Sequence, residues 1–406
     1  MQAALEFKQI IFILLATFCV ISLYAEQVQE WEKLSQEEEM ELDRQLKLIN
    51  KPPIKSFQTE HGDIIDCVDI YKQLAFDHPT LKNHAIQMKP TTIPKGIRNE
   101  SETIYKSMPY IPGNIRCPRG SVPIRRTTRE DLIMAKHIKS KGFNHPRKSH
   151  AKTSGLDLAG YHSAVLEYEN RIVGGRATIN IWNPVVNNAK QYSVSSMWIA
   201  NGDAEKMNSI SVGWAVNRAL YSDNKSRLNT YWTADNSHST GCFNTFCPGF
   251  VQVSSKIFLG LPLDPVSTYN GPQFDIAVSI SQDFSTGNWM LMFSDIYVGY
   301  WPKAIFTSMA EGANFISWGG EVYSMISDLS PQMGSAHFPE EGYGKAAFVK
   351  QIQVIPNIDL SGYGDPDEHS LKLYRDAPHC YDVEKGVDKQ GHYIFFGGPG
   401  NCTFQV

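Results

Sequence analysis

The 406-residue sequence lacks the patterns that mark several common classes of enzyme and binding protein. It contains no CxxC pair and no HExxH motif, so the usual zinc spacings are missing and we expect no metal site. It has no GxSxG elbow, and its Gly-Gly pairs at 319–320 and 397–398 precede no helix signal, which argues against a phosphate loop. The net charge of −4 argues against general nucleic-acid binding.

Long apolar runs are also scarce, and the one that matters lies near the N-terminus. The mostly apolar run from Ile10 to Tyr24 follows Lys8, and its length is typical of a signal-peptide core but short for a membrane span. Ala25 offers a small residue at the cleavage position, and Glu26 begins a polar stretch. We therefore predict a signal peptide over residues 1–25 and a secreted, extracellular protein. An uncleaved signal anchor is the alternative.

Aromatic residues make up 11% of the chain, and 30 Gly and 22 Pro accompany them, which favours strands and turns over helical bundles. From Tyr161 onward, short alternating runs are separated by Gly, Asn, Asp and Pro, as in 176–182, 191–200, 208–216, 249–258, 273–280, 288–300 and 314–324. This pattern predicts an all-β unit, an antiparallel sandwich or barrel, preceded by a smaller region of mixed α and β structure.

The N-terminal region differs in pattern and in charge. A helical stripe with an acidic face spans 27–49, and residues 127–130 have capping-box spacing that predicts a helix to about Lys139. Residues 136–152 carry six Lys/Arg and no acid, which indicates an exposed linker where proteases cut, or simply a solvated loop. Residues 1–152 hold 23 basic against 18 acidic residues, and 153–406 hold 15 against 24. These opposite charges predict mutual attraction that weakens in acid.

Cysteine usage fits an oxidising compartment. Cys19 leaves with the predicted signal peptide, and an even number of cysteines remains. Many pairings are open on paper, and position in the chain favours Cys67–Cys117, Cys242–Cys247 and Cys380–Cys402. Glycosylation sequons stand at Asn99 and Asn224, while a third at Asn401 has Cys402 at its middle position and is the weakest.

Two predicted strands carry the residues of chemical interest. In 208–216 the predicted core face holds Ile210, Val212, Trp214 and Val216, and the opposite face holds Ser209, Ser211, Gly213 and Ala215. Such small residues form a shallow trough for an extended peptide, or an ordinary solvent face. In 314–324 the opposite face holds Ser317, Gly319, Glu321 and Tyr323. A glutamate in apolar, aromatic surroundings keeps its proton to higher pH, which suits acid chemistry, although a solvent-facing glutamate is the plainer interpretation.

A series of ordered motifs extends along nearly the whole mature chain. In the N-terminal part they are 66–73 (DCVDIYKQ), 75–79 (AFDHP), Cys117-Pro118 and 122–128 (VPIRRTT). In the C-terminal part they are 182–184 (WNP), Leu228 with 231–233 (YWT), 240–242 (TGC) with Cys247 and 249–250 (GF), 299–302 (GYWP), 318–322 (WGGEV) and 333–335 (MGS) with 337–338 (HF). Together these motifs resemble the plant neprosin-like family.

The resemblance implies a zymogen with an activation-type propeptide over 26–135, a basic linker and processing site over 136–156, and a β-sandwich peptidase domain over 157–406. It implies a glutamic endopeptidase that works at acid pH, prefers to cut after proline and needs no cofactor. Its expected partners are a proline-containing peptide or protein and its own propeptide, with no nucleic acid and no stable membrane anchor. We expect a monomer, located in the apoplast or cell wall if the protein comes from a plant.

In this family two glutamates act on one water: one removes its proton and the other polarises the scissile carbonyl. The second glutamate maps onto Glu321. The first does not survive, because the family pattern Asn-Ser/Thr-Ile-Glu-Ala-Gly-Trp reads NSISVGW over 208–214, which places Ser211 at its position. Ser196 likewise stands where the family often has glutamine. The residues predicted to bind substrate are Ser196, Tyr231, Trp232, Trp318 and Tyr323.

A serine hydroxyl cannot exchange a proton in acid, and losing one general acid–base group typically costs ~10²–10⁴ in rate. We therefore expect a folded, secreted family member with impaired peptidase activity. The alternative is a non-catalytic member that binds peptide or wall polymer. Two rescues stay open: Ser211 acting as a nucleophile beside Glu321, or another carboxylate, such as Asp203 or Glu205, reaching the water.

Overall fold

The structure is a computed structural model that describes residues 35–92, 94, 115–133, 160–203, 206–294, 296–357 and 362–403. The predicted signal peptide, the linker 136–156 and Asn99 lie outside these residues. No helix in the described ranges is long and apolar enough to cross a bilayer.

Helix α1 (Gln36–Ile49) begins at a capping box. The N–H of Ser35 donates to Glu38 Oε2 at 2.8 Å, and the N–H of Glu38 donates to Ser35 Oγ at 3.3 Å. The predicted helix is thus confirmed from Gln36 onward. Compact packing divides the chain after Gln45, so most of α1 belongs to a separate unit from the remainder.

A three-stranded antiparallel sheet follows, with β1 (Pro53–Gln58), β2 (Ile64–Asp69) and β3 (Ser121–Arg125) in that order. A helical turn then begins at Thr128, whose N–H donates to Asp131 at 2.8 Å while the N–H of Asp131 donates to Thr128 Oγ1 at 3.2 Å. The capping box is therefore formed by Thr128 and Asp131, one residue later than the pair Thr127 and Glu130. An aspartate carboxylate can accept from the N-cap N–H as a glutamate does.

Two larger antiparallel sheets form a sandwich, as predicted. The seven-stranded sheet has the order β16-β4-β14-β6-β7-β8-β9, with β4 (Tyr161–Tyr168), β6 (Tyr192–Asn201), β7 (Asn208–Asn217), β8 (Ser226–Thr233), β9 (Cys242–Phe243), β14 (Phe315–Tyr323) and β16 (Leu371–Arg375). The eight-stranded sheet has the order β10-β13-β12-β11-β5-β15-β18-β17, with β5 (Ile172–Asn180), β10 (Val251–Gln252), β11 (Asp275–Gln282), β12 (Trp289–Phe293), β13 (Ile296–Trp301), β15 (Ala347–Pro356), β17 (Asp382–Asp388) and β18 (Gly391–Gly397).

Short helical pieces connect these strands. They are α2 (Arg218–Tyr221) and the 3₁₀ turns Leu74–Asp77, Pro79–Leu81, Lys303–Ile305, Pro339–Glu341 and Glu368–Ser370. All three predicted disulfides are present: Cys67–Cys117 in the N-terminal region, Cys242–Cys247 across one loop, and Cys380–Cys402 near the C-terminal end.

The core lies between the two large sheets, and strand alternation fills it. The predicted inner residues of β7 and β14 are fully buried there, including Trp214 and Trp318. The Trp214 indole N–H donates to the Asn180 carbonyl of β5 at 2.8 Å and so ties one sheet to the other. Gly175 of β5 has no side chain, and a Cβ there would lie 2.2 Å from Ile316 of β14. The sheets therefore approach closely over the centre of β14.

The N-terminal sheet is attached to the sandwich by a buried ionic cluster. Asp63 accepts from Arg125 Nε at 2.6 Å and from Arg227 Nη1 of β8 at 2.8 Å. Arg125 also binds Asp131, and Arg227 also binds Asp223. In the ion pair that crosses the junction, the acid, Asp63, belongs to the basic N-terminal part, and the guanidinium, that of Arg227, belongs to the acidic sandwich. The overall charge difference therefore does not describe the local contact.

A second attachment covers an edge of the eight-stranded sheet. The Gln73 side-chain amide donates to the Gln252 carbonyl and accepts from the Gln252 N–H, both at 2.8 Å. This mimics strand pairing on β10, which is otherwise an edge. Further along, Thr91 donates through its N–H and its hydroxyl to Asp283 at 2.6 and 2.8 Å. Residues 73–91 thus lie along the sandwich through matched polar contacts.

Replacing Asp63 with asparagine should lower the free energy of unfolding by about 2–3 kcal/mol, because two buried guanidinium groups lose a shared counter-ion and keep only Asp131 or Asp223 as partners. Urea unfolding at neutral pH measures this. The matched control is Asp77→Asn, which breaks the more exposed pair with Lys51 and should cost less than about 1 kcal/mol. Equal effects of the two variants would contradict the assignment.

The Thr91–Asp283 contact should survive at pH 4 and fail only in stronger acid. Burial alone raises the pKa of Asp283, but hydrogen bonds from Thr91 and Thr286 outweigh it and hold this pKa below the ordinary 3.8. Since the folded pKa is depressed, the stabilisation is present above the ordinary value and is lost as pH falls through the folded one.

Hydrogen exchange of residues 84–91 at pH 7, 4 and 2.5 tests this dependence, after correction for intrinsic rates. Asp283→Asn should remove the dependence. Release that is complete by pH 4 would show that other carboxylates govern the attachment, as the overall charge difference predicts.

Candidate active site

The outer face of the seven-stranded sheet carries side chains in rows that run across neighbouring strands. One row contains Glu167 (β4), Ser317 (β14), Trp198 (β6), Ser211 (β7) and Tyr231 (β8). Another, four residues further along β14, contains Ser163, Glu321, Val194 and Ala215 on the same strands from β4 to β7. The row between them contains Val165, Gly319, Ser196 and Gly213.

A cavity of about 30 Å³ opens on this face. It is lined by Ser163, Val165, Glu167, Ser196, Trp198, Ser317, Gly319, Gly320, Glu321 and Tyr374. The middle row leaves this space because Gly319 has no side chain and Ser196 has a short one. The volume suits one or two water molecules, and polar groups are present to bind them. The arrangement can therefore hold a water beside a carboxylate.

Glu321 lies at one end of this cavity and is only 7% exposed. The hydroxyl of Tyr192 donates to Glu321 Oε1 at 3.1 Å. Burial, and then the charge of Glu321, raise the pKa of Tyr192 well above its ordinary value, so Tyr192 keeps its proton and stays a donor. Tyr323 stacks on Tyr192 with ring centroids 5.7 Å apart and contacts Tyr161 at 4.7 Å. The aromatic surroundings that the sequence indicated for Glu321 are present.

Ser211 lies on the same face as Glu321 but at a distance from it. It is two strands away from β14 and level with Ser317, four residues before Glu321. Ser211 is buried, and it is not one of the described residues that line the cavity. The trough predicted along β7 is not open either, because Ser209 and Ala215 are also buried. A buried cluster rich in tyrosine includes Ala215 of β7 together with Tyr161, Tyr192, Tyr221, Tyr231, Phe243 and Phe246.

The residues predicted to bind substrate fall into two groups. Ser196 lines the cavity, Tyr323 stacks beside Glu321, and Tyr231 packs on Phe243 with its hydroxyl 2.5 Å from Ser237. Trp232 and Trp318 instead point into the core between the sheets and are at most 2% exposed. Side chains alternate between the two faces of a strand, and each tryptophan lies next to a residue that faces outward, Tyr231 or Gly319. A ligand on the outer face therefore does not contact Trp232 or Trp318. Their predicted role does not agree with this placement.

Glu167 is the functional candidate that sequence reasoning missed. It is 4% exposed, and it lines the cavity with Glu321. The alternation of 161–168 already marked it as a strand residue, but nothing local shows that β4 pairs with β14, about 150 residues later in the chain. The carboxylates considered instead do not replace it. Asp203 is exposed in the turn between β6 and β7, and Glu205 lies outside the described residues.

The remaining predictions concern glycosylation and metal binding. Asn224 is exposed in the turn before β8, as a glycosylation acceptor requires, while Asn401 precedes the disulfide-bonded Cys402. Within the described ranges, no group of three or more His, Cys, Asp or Glu side chains is arranged to hold a metal ion.

Comparison with known families gives two matches. The neprosin family model matches residues 189–399, just over half of the chain, and the neprosin activation peptide model matches residues 56–167. The activation-peptide match continues past residue 135 into β4, so it includes Glu167.

Solved structures resemble the chain only weakly. Scytalido-glutamic peptidase with a peptide-based transition-state analogue covers 59% of this chain and 98% of its own, at 10% identity and a TM-score of 0.30. SCP-B of the eqolisin peptidases, with the tripeptide Ala-Ile-His, has the same coverage at 9% identity and 0.30. CG-16, an agglutinin from chicken liver, covers 39% and 92% at 8% identity and 0.21. TM-scores this low carry no functional argument.

Removing the Tyr192 hydroxyl tests the site geometry without any assay of activity. Tyr192→Phe should lower the free energy of unfolding by about 1–3 kcal/mol, because the buried Glu321 side chain loses the hydrogen bond from Tyr192. Tyr269→Phe is the control, since its hydroxyl donates to Glu341 on the surface and should matter by less than about 0.5 kcal/mol. Thermal and urea unfolding measure both variants, and an unaltered stability of Tyr192→Phe would contradict the buried hydrogen bond.

Proposed function

Because the chain belongs to the neprosin family, we propose that it is a secreted zymogen of the acid-acting glutamic endopeptidase type, with turnover below that of a member that carries both glutamates. The observation that carries this proposal is the position of Glu321. It lies buried beside a water-sized cavity with a tyrosine donor, while Ser211 supplies no carboxylate and lies outside that cavity.

The substrate class follows from the face on which Glu321 lies. An extended peptide lies along the outer face of the seven-stranded sheet, with its scissile carbonyl over the Gly319 gap. Ser196 and Tyr323 lie on this face beside Glu321 and contact the peptide, while Tyr231 supports the far end. Cleavage after proline is the preference that family membership suggests. No cofactor takes part in this proposal.

The chemistry at Glu321 is that of a general base. The carboxylate takes a proton from the cavity water, and the water oxygen adds to the peptide carbonyl carbon. The carbonyl oxygen needs a proton or a donor at the same moment, which the family's first glutamate would supply. Serine at 211 cannot transfer a proton in acid, so this position contributes nothing to the step.

The zymogen part of the proposal rests on the N-terminal attachment. The described residues from 50 to 133 bind the sandwich through the Asp63 cluster, the Gln73 amide and the Thr91 contact. Ile65, Leu81 and Ile115 also join the main core. We propose processing within 136–156, which separates a propeptide over 26–135 from the domain over 157–406, and glycosylation at Asn224 and Asn99.

A second function is favoured by the two small residues on this face. Ser196 and Ser211 both stand where longer polar side chains occur in the family, while the scaffold around them is kept. A non-catalytic member that binds a proline-containing peptide or a wall polymer would have the same face without the need for turnover.

An assay of the acid-activated protein on a proline-containing peptide separates these functions. We expect slow cleavage by the native chain, loss of about 10²-fold or more in Glu321→Gln, and a gain of about tenfold or more in Ser211→Glu. Glu340→Gln, a carboxylate on the surface turn before β15, is the control and should leave the rate unchanged.

Binding of the same peptide to each variant completes the test. Binding without turnover in both the native chain and Ser211→Glu would favour the non-catalytic function. Labelling of Ser211 by a serine-reactive probe would instead revive the nucleophile mechanism.

A further inference from the structure

We infer that Glu167 is the second carboxylate of this active site, and that hydrolysis by the native chain passes through Glu167 and Glu321 without any contribution from position 211. This inference rests on the proposed function. It names a catalytic residue that replaces the missing family glutamate from a different strand.

The sheet register brings the two carboxylates to one cavity from adjacent strands. Glu167 on β4 is level with Ser317, and Glu321 lies four residues later on β14. With a rise of about 3.3 Å per residue and about 4.8 Å between strands, the two Cα atoms are roughly 14 Å apart. Each glutamate side chain reaches about 5 Å from its Cα, so one water can bridge the two carboxylates when both side chains lean toward Gly319. Both glutamates line the same cavity.

Glu167 lies in the same row across the sheet as position 211, where the family has its first glutamate. Ser211 and Glu167 belong to the same row across the sheet, on opposite sides of Ser317. Glu167 is one strand from β14, whereas Ser211 is two strands away. A carboxylate at 167 is therefore nearer to Glu321 along the sheet than one at 211 would be, and it approaches the water from the other side.

The surroundings of Glu167 also place its side chain at the cavity. Glu167 is 4% exposed, and its cross-strand neighbour Lys372 extends to the surface, with its ammonium 3.8 Å from Glu169. Tyr374 of β16 lines the cavity on this side. Burial, then Asp376 and then Glu167, raise the pKa of Tyr374 to about 12, so Tyr374 keeps its hydroxyl proton beside the cavity.

The reaction balances with one proton shared by the pair. Glu321, which accepts from Tyr192, starts as the carboxylate, and Glu167 starts protonated. Glu321 takes a water proton as the water oxygen bonds to the carbonyl carbon, and Glu167 gives its proton to the carbonyl oxygen. The carbon–nitrogen bond then breaks as the nitrogen takes the proton from Glu321. The intermediate's hydroxyl returns its proton to Glu167, which leaves one acid, one amine and the original pair.

The test is a double-mutant cycle on the acid-activated protein. Glu167→Gln should lower kcat for the proline-containing peptide by about 10²–10⁴-fold and remove one limb of the pH–rate profile. In the Ser211→Glu background the same change should cost at least tenfold less, because the carboxylate at 211 then serves as the partner. Glu169→Gln, two residues away and at the strand end, is the matched control and should change kcat by less than about threefold.

A titration of the glutamate side chains by ¹³C NMR gives a readout that does not depend on turnover. Two carboxyls that share a water titrate as a coupled pair, and in this pair Glu167 keeps its proton against the charge of Glu321. Glu321→Gln should therefore lower the midpoint of Glu167 by about one pH unit, and Glu169→Gln should not. Turnover that survives Glu167→Gln but not Glu321→Gln would overturn the inference and leave the proposed function intact. If no variant cleaves peptide, the proposed function fails, and the titration alone decides whether the two carboxyls form a pair.

Discussion

The alternation of side chains along β14 is the constraint on which the site depends. Ile316, Trp318 and Val322 fill the space between the sheets, and the residues between them must therefore face outward. Glu321 cannot turn inward without placing a carboxylate among tryptophans, and Trp318 cannot turn outward without opening the core. The packing of the sandwich thus fixes the direction of the candidate catalytic group, and Tyr192 then fixes its carboxylate through a hydrogen bond.

Gly319, which has no side chain, is the second constraint on the site. Any larger residue would fill the gap between Glu167 and Glu321, and a Cβ at Gly319 would lie 2.4 Å from the Ala164 carbonyl of β4. Its φ of +144° adds a second reason for glycine, since other residues rarely adopt that conformation. The same feature that lets β4 and β14 pair closely also leaves room for a water. The proposed change of partner from β7 to β4 uses space that the sheet already contains.

The N-terminal region shows how net charge and local contact differ. Its excess of basic residues suggested a general attraction to the acidic sandwich, yet the buried cluster places the acid on the N-terminal side, at Asp63, between Arg125 and Arg227. A single carboxylate shared by two guanidiniums is a specific attachment, because removing it takes one of two carboxylate partners from each buried arginine. The Gln73 amide adds pairing with β10 that does not depend on pH.

Several features were determined by the sequence alone because their causes are local. The period-two pattern of 208–216 and 314–324 predicted which residues face the core, the even cysteine count and positions predicted the disulfides, and the ordered motifs predicted the family. The assignment of Trp232 and Trp318 to substrate binding neglected the same alternation. The tertiary structure alone decided that Glu167 and Glu321 line one cavity, because β4 and β14 are distant in sequence and pair only through the topology of the sheet. It also decided that β7 is covered and that Ser211 lies away from the cavity, since burial depends on what packs above a strand and the strand's own pattern does not record it.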